Sequence, residues 1–159
     1  MPNYCDCKLT ITGTNRQAVL DRIKGDEVWV EKGTDFDNKP YRTEYIVHFD
    51  VDKVIPMPKE VADSEGWAEW GYEHWGCRNV YYDRQKHFVQ DDADVICFSS
   101  PWDPPLLAIR ALSSMFPENT FLLEHGGEDL GLGATLFRGG KALEGTRLGP
   151  SSNSYSLRN

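Results

Sequence analysis

A chain of 159 residues with a net charge of −8, 40% of it hydrophobic and 26% charged, has the composition of a globular protein and the length to bury one core. No apolar run approaches the ~20 residues of a membrane span, and no signal-peptide core stands at the start, so a cytoplasmic location is expected. The acidic balance speaks against wholesale phosphate binding, which needs clustered lysine and arginine.

From Tyr4 to Thr12 the chain alternates, with Cys5, Cys7, Leu9 and Ile11 on one face and Asp6, Lys8, Thr10 and Thr12 on the other. That is the period of a half-buried strand. After Gly13, the pattern Thr14-Asn15-Arg16-Gln17 predicts a capping box and a helix over Asn15–Lys24 that buries Val19, Leu20 and Ile23. Residues 26–42 are polar and read as an inserted loop with a short hairpin around Val28-Trp29-Val30. Tyr45, Val47, Phe49 and Val51 alternate as a second strand. The prolines in Val54-Ile55-Pro56-Met57-Pro58 stop a central strand there.

Residues 63–76 carry three of the five tryptophans, Trp67, Trp70 and Trp75, at spacings that predict an inserted helix capped by Asp63 or Ser64. A further strand is expected at Val80-Tyr81-Tyr82. Val95 to Phe98 then begins a strand, Asp103 and Pro104 open a helix running to Met115, and Leu106, Ile109, Leu112, Met115 and Phe116 form its apolar face. Strands follow at Thr120–Glu124 and Leu132–Arg138, with Gly139-Gly140 as a tight turn, and 145–159 is expected as a loosely held tail. The four cysteines, Cys5, Cys7, Cys77 and Cys97, form no CxxC pair; they are expected buried and reduced, with no metal bound. Two βαβ units with an antiparallel sheet of four or five strands, and two helices on one face, give an α+β, ferredoxin-like sandwich over residues 1–144.

Several stretches resemble the YubB ferredoxin-like family of phage- and plasmid-encoded proteins. These are the opening Met1-Pro2-Asn3-Tyr4-Cys5 with Leu9 to Gly13, Val54 to Pro58, the tryptophan helix ending in Trp75-Gly76, and Phe98-Ser99-Ser100-Pro101-Trp102-Asp103-Pro104-Pro105 followed by Phe116-Pro117. The resemblance spans roughly residues 1–140 in pieces and implies an accessory protein of a mobile element. It supplies no active-site residues.

Three functional classes are weighed. Catalysis has no signature: His48, His74, His87 and His125 stand in no nucleophile-elbow, triad or zincin pattern, and His87 with Asp91 and Asp92 lacks fixed helical spacing. No enzyme activity and no cofactor are therefore expected. A single-stranded nucleic-acid reader could stack bases on the sheet, but the RNP pattern is missing and the charge has the wrong sign. The third class leads: a protein that binds a basic surface of a host protein, such as a defence nuclease of the CRISPR-effector type, which it would inhibit. Its expected contacts are the loop carboxylates Asp35, Asp37, Asp91, Asp92, Glu128 and Asp129, with Trp67 and Trp70 as an aromatic surface.

Overall fold

The computed structural model describes residues 3–26, 28–80, 95–127 and 131–143. Its centre is β1 (Tyr4–Thr12), where the 2-residue alternation places Cys5, Cys7, Leu9 and Ile11 in the core. β4 (Val95–Pro101) lies antiparallel on one side of β1 and β5 (Thr120–Gly127) antiparallel on the other, with Cys7 opposite both Phe98 and His125. β6 (Gly131–Arg138) and β7 (Lys141–Leu143) continue the sheet, giving five antiparallel strands in the order β4-β1-β5-β6-β7. Helix α4 (Leu106–Met115) carries the chain from β4 to β5, so these two parallel strands enclose β1 in a split βαβ unit. Gly139 and Gly140, at φ 59° and 79°, make the tight turn between β6 and β7, because a two-residue hairpin of this hand needs positive φ at both positions.

One face of the sheet carries the helices that follow β1 and β4 in sequence, as the α+β ferredoxin-like reading requires. Val19 and Ile23 of α1 (Arg16–Ile23) and Ala108, Ile109 and Leu112 of α4 join Leu9, Ile11, Phe98, Phe121, Leu123 and Phe137 in one buried cluster. The helix starts differ from the sequence expectation. Asn15 occupies the α1 cap position without a side-chain capping bond, its Nδ2 donating instead to Glu118 Oε2 at 3.4 Å, and Gln17 donates to Asp21 one turn on instead of closing a box with Thr14. α4 begins at Leu106 rather than Pro104, since Trp102 adopts φ 66° and reverses the chain, its N–H held by the Asn3 carbonyl at 2.8 Å. The Trp75 carbonyl then accepts from Ala108 N–H at 3.1 Å, so a neighbouring segment supplies the cap that Asp103 was expected to give.

The stretch between α1 and β4 holds the largest departures. β2 (Val28–Thr34) and β3 (Pro40–Ile46) pair in register from Val28–Ile46 to Thr34–Pro40 as a separate two-stranded sheet. The expected second strand of a first βαβ unit therefore ends at Ile46 and lies outside the main sheet. Val47, Phe49 and Val51 are buried as expected, but their backbone is tied to the end of α1: Gly25 N–H donates to the Val47 carbonyl and Asp50 N–H to the Ile23 carbonyl, each at 2.8 Å. Their alternation is that of an extended segment laid over the core. A 3-10 turn (Val51–Lys53) follows, capped by the Asp50 carboxylate, then α2 (Lys59–Ala62) and α3 (Trp67–His74). Asp63 closes α2, and Gly66 rather than Asp63 or Ser64 precedes α3. Tyr81 and Tyr82 of the expected strand, and the tail 145–159, lie outside the described residues. No helix among the described residues is long and apolar enough to cross a membrane.

Candidate functional site

Of the expected contact residues, Asp35, Asp37, Trp67 and Trp70 are described; Asp91, Asp92, Glu128 and Asp129 lie outside the described residues. Asp35 and Asp37 sit at the tip of the β2–β3 hairpin. Asp35 builds the turn: its Oδ1 accepts from the N–H groups of Asp37 and Lys39 at 2.9 and 2.8 Å, and its own backbone pairs with Asn38 and Lys39. One of its carboxylate oxygens is thus committed to local structure. Between the two acids stands Phe36, fully exposed. Every residue from Lys32 to Glu44 is exposed, and the hairpin also shows Val28, Val30 and Tyr41 to solvent. An isolated two-stranded ribbon is marginal in water, so apolar side chains left on it gain most from being covered by something else. The sequence expectation placed the recognition chemistry of this loop on its carboxylates, with Trp67 and Trp70 as the aromatic surface; the exposed aromatic of the hairpin is Phe36, between the two acids.

The tryptophan helix divides its indoles. Trp75 is buried, donates from Nε1 to the Ile55 carbonyl at 2.8 Å, and meets Trp70 edge-on at 5.1 Å between ring centroids. Trp70, half-buried against the core, stacks on His74 at 4.1 Å. Trp67 stands apart from the core cluster beneath the Arg78 guanidinium, 4.7 Å from its ring centroid, a cation–π contact on a partly exposed surface. The helix is therefore pinned by Trp75 and Trp70, and only Trp67 fits an outer contact role.

A second site went unrecognised in the sequence. Register sets His125 of β5 opposite Cys7 of β1 on the core face, with Gly133 of β6 opposite His125 on its other side. The imidazole lies so close over Gly133 that a Cβ there would stand 2.5 Å from His125 Cε1. Cys7 Sγ donates to the Cys5 carbonyl at 3.7 Å and lies 4.0 Å from Ser100 Oγ. The neighbouring Cys7 thiol draws the Cys5 thiol down to about 6; the nearby His125 side chain adds to this, against burial and the charge of Asp6. Burial raises Cys7 well above its ordinary value, and it keeps the proton of the pair. Burial likewise pushes the Cys77 and Cys97 thiols up. All four cysteines are free and buried, as expected. Strand pairing, which the sequence does not print, is what joins residues 5, 7 and 125. Among the described residues, no group of three or more His, Cys, Asp or Glu side chains is arranged to hold a metal ion.

No curated protein and no solved structure matches the chain. A family model described as the ferredoxin-like domain in Api92-like protein matches residues 78–157, half of the chain. The match takes in the split unit β4-α4-β5 and the strands β6 and β7, whereas β1, which fills the gap between β4 and β5, comes from outside it. By that match and by the antiparallel five-stranded sheet with its helices on one face, the chain belongs to the family of ferredoxin-like domains of Api92-like proteins.

Proposed function

We propose that the protein is a binding module that engages a partner protein through the β2–β3 hairpin, with Phe36 as the anchor. The observation that carries this reading is the fully exposed Phe36 at the tip of a ribbon exposed from Lys32 to Glu44. Buried aromatic anchors dominate interface energetics, and an aromatic ring flanked by acids fits an apolar pocket with a basic rim, which Asp37 would meet. The finer reading places the protein with the YubB-like accessory proteins of phages and plasmids. Its partner would then be a host protein, with a defence nuclease such as a CRISPR effector as the class that an acidic protein of net charge −8 suits best. Trp67 with Arg78 is a candidate for the rim of the same or a second contact.

The nucleic-acid alternative has less support. Alternation and register turn Phe98, Phe121 and Phe137 to the helix-covered core, and place Lys8, Thr10, Thr12, Leu122 and Glu124 on the opposite face. Among the described strands of the main sheet, Tyr4 at the edge is the one aromatic residue on that face, too little for a base-stacking platform.

Capture of a stoichiometric partner from host lysate by the tagged protein tests the proposal. Phe36→Ser should reduce capture at least tenfold, on the order of the 1–2 kcal/mol or more that an anchor residue carries, and Asp37→Lys should slow association. Neither should move the melting temperature, because both side chains are exposed. Capture indifferent to both changes would reject the hairpin as the contact.

A further inference from the structure

We propose that the outer edge of β3 is a self-association surface, on which two copies of the chain pair antiparallel about Thr43 and join their hairpins into one continuous sheet, in the order β2-β3-β3-β2. Among the described residues β3 pairs with β2 alone, and Tyr41, Arg42, Thr43 and Glu44 are all exposed. A two-stranded ribbon is marginal in water, and added strands are what make such a sheet stable. The hydrogen-bond pattern fixes which groups the edge offers. Asp35 N–H donates to the Lys39 carbonyl at 2.9 Å, so these two residues form a hydrogen-bonded pair at the head of the ladder. Alternation along the register then turns the backbone groups of Tyr41 and Thr43 toward β2 and those of Arg42 and Glu44 outward. Pro40, which has no N–H to give, stands at the first position of the strand, where the missing donor costs least.

The charge pattern of the strand says what covers this edge. Pro40-Tyr41-Arg42-Thr43-Glu44-Tyr45-Ile46 reads the same in residue class from either end, with the sign of the charge reversed about Thr43. Antiparallel pairing about that centre sets Arg42 opposite Glu44 of the second copy, and Glu44 opposite Arg42 of the second copy. Tyr41 falls at the register position of Tyr45 of the second copy. Opposite charges directly across an antiparallel pair stabilise it, and like charges destabilise it. The neighbouring registers that still bring outward groups together are centred on Arg42 or on Glu44, and each sets two like charges face to face. Pairing about Thr43 is therefore the register that the sequence selects. Within one copy Arg42 and Glu44 already form an ion pair at 3.0 Å; in the dimer each of these charges has an opposite one both along its own strand and across the pair. The contact is the same patch on both copies, so it closes on a two-fold axis instead of growing into a fibre. It lies on β3 rather than at the hairpin tip, and it holds whether or not Phe36 anchors a partner.

Sedimentation equilibrium of the full chain, from ~1 μM to ~1 mM, should show a reversible monomer–dimer equilibrium. Arg42→Glu or Glu44→Arg alone sets like charges across both pairs and should weaken the dimer at least ~10-fold. An equimolar mixture of the two variants should recover it as a mixed dimer, because the acidic pair of one copy then faces the basic pair of the other. In Thr43→Cys the two new thiols occupy a non-hydrogen-bonded pair, where side chains of an antiparallel ladder approach most closely, and mild oxidation should link the copies on a non-reducing gel. The three side chains are exposed, so circular dichroism of each variant should match the parent chain. A chain that stays monomeric throughout would leave the β3 edge to an extended segment of another protein and overturn the proposal. A dimer that withstands both charge reversals, a mixture that recovers nothing, or no cross-link at position 43 would overturn it too. Partner capture is read separately: its loss in Phe36→Ser bears on the tip contact and leaves the dimer unchanged.

Discussion

Phe49→Ala should lower stability by roughly 3–5 kcal/mol, the cost of deleting a buried ring from a core that relaxes only in part. Phe49 has no exposed surface and packs on Phe98 at 4.8 Å between ring centroids. Its position makes the loss more than local. The segment from Val47 to Asp50 is tied by backbone bonds to Ile23 and Gly25 at the end of α1, and its Val47 and Phe49 side chains are buried. Removing the ring leaves Val47 and Val51 to hold the base of the hairpin against the sheet. A two-state thermal melt should show a drop on the order of 10 °C, at ~2–4 °C per kcal/mol for a domain of this size. A change below about 1 kcal/mol would mean that this segment is not part of the core.

The tryptophans should separate by effect. Trp75→Ala removes a buried indole, its bond to the Ile55 carbonyl and its edge-on contact with Trp70, and should cost roughly 3–5 kcal/mol. Its carbonyl also caps α4, so displacement of the 75–76 backbone would loosen the split βαβ unit as well. Trp67→Ala loses a partly exposed cation–π contact with Arg78, about 0.5–1 kcal/mol. Equal effects at the two positions, read in denaturant titrations, would contradict this division.

The main sheet was legible wherever the period of the side chains reports burial directly. Cys7, Leu9, Ile11, Val47, Phe49, Ile109, Leu112 and Phe121 are all buried as the patterns predict, and Gly139-Gly140 turns as its composition requires. Two of the misreadings share a cause: partners distant in sequence replaced local ones. Trp75 caps α4 in place of Asp103, and α1 anchors Val47–Asp50 in place of a neighbouring strand. Tyr45 and Val47 look continuous in sequence because an extended segment on a core keeps the same alternation as a strand. The tip acids were visible, but a rule that follows charge passed over Phe36 between them. The Cys5–Cys7–His125 cluster depends on the pairing of β1 with β5 across more than a hundred residues, which a period of two does not encode.

The proposed function treats the β2–β3 hairpin as a recognition appendage mounted on the ferredoxin-like core. The Gly25–Val47 hydrogen bond closes its base, so residues 27–46 can be replaced by a short glycine linker without stretching the chain. Thermal unfolding and partner capture of that variant, measured side by side with the full chain, test the claim most directly. The melting temperature should stay within a few degrees of the full chain, since the residues removed from Lys32 to Glu44 are all exposed, and capture should be lost. Collapse of the fold, or capture retained without the hairpin, would contradict it.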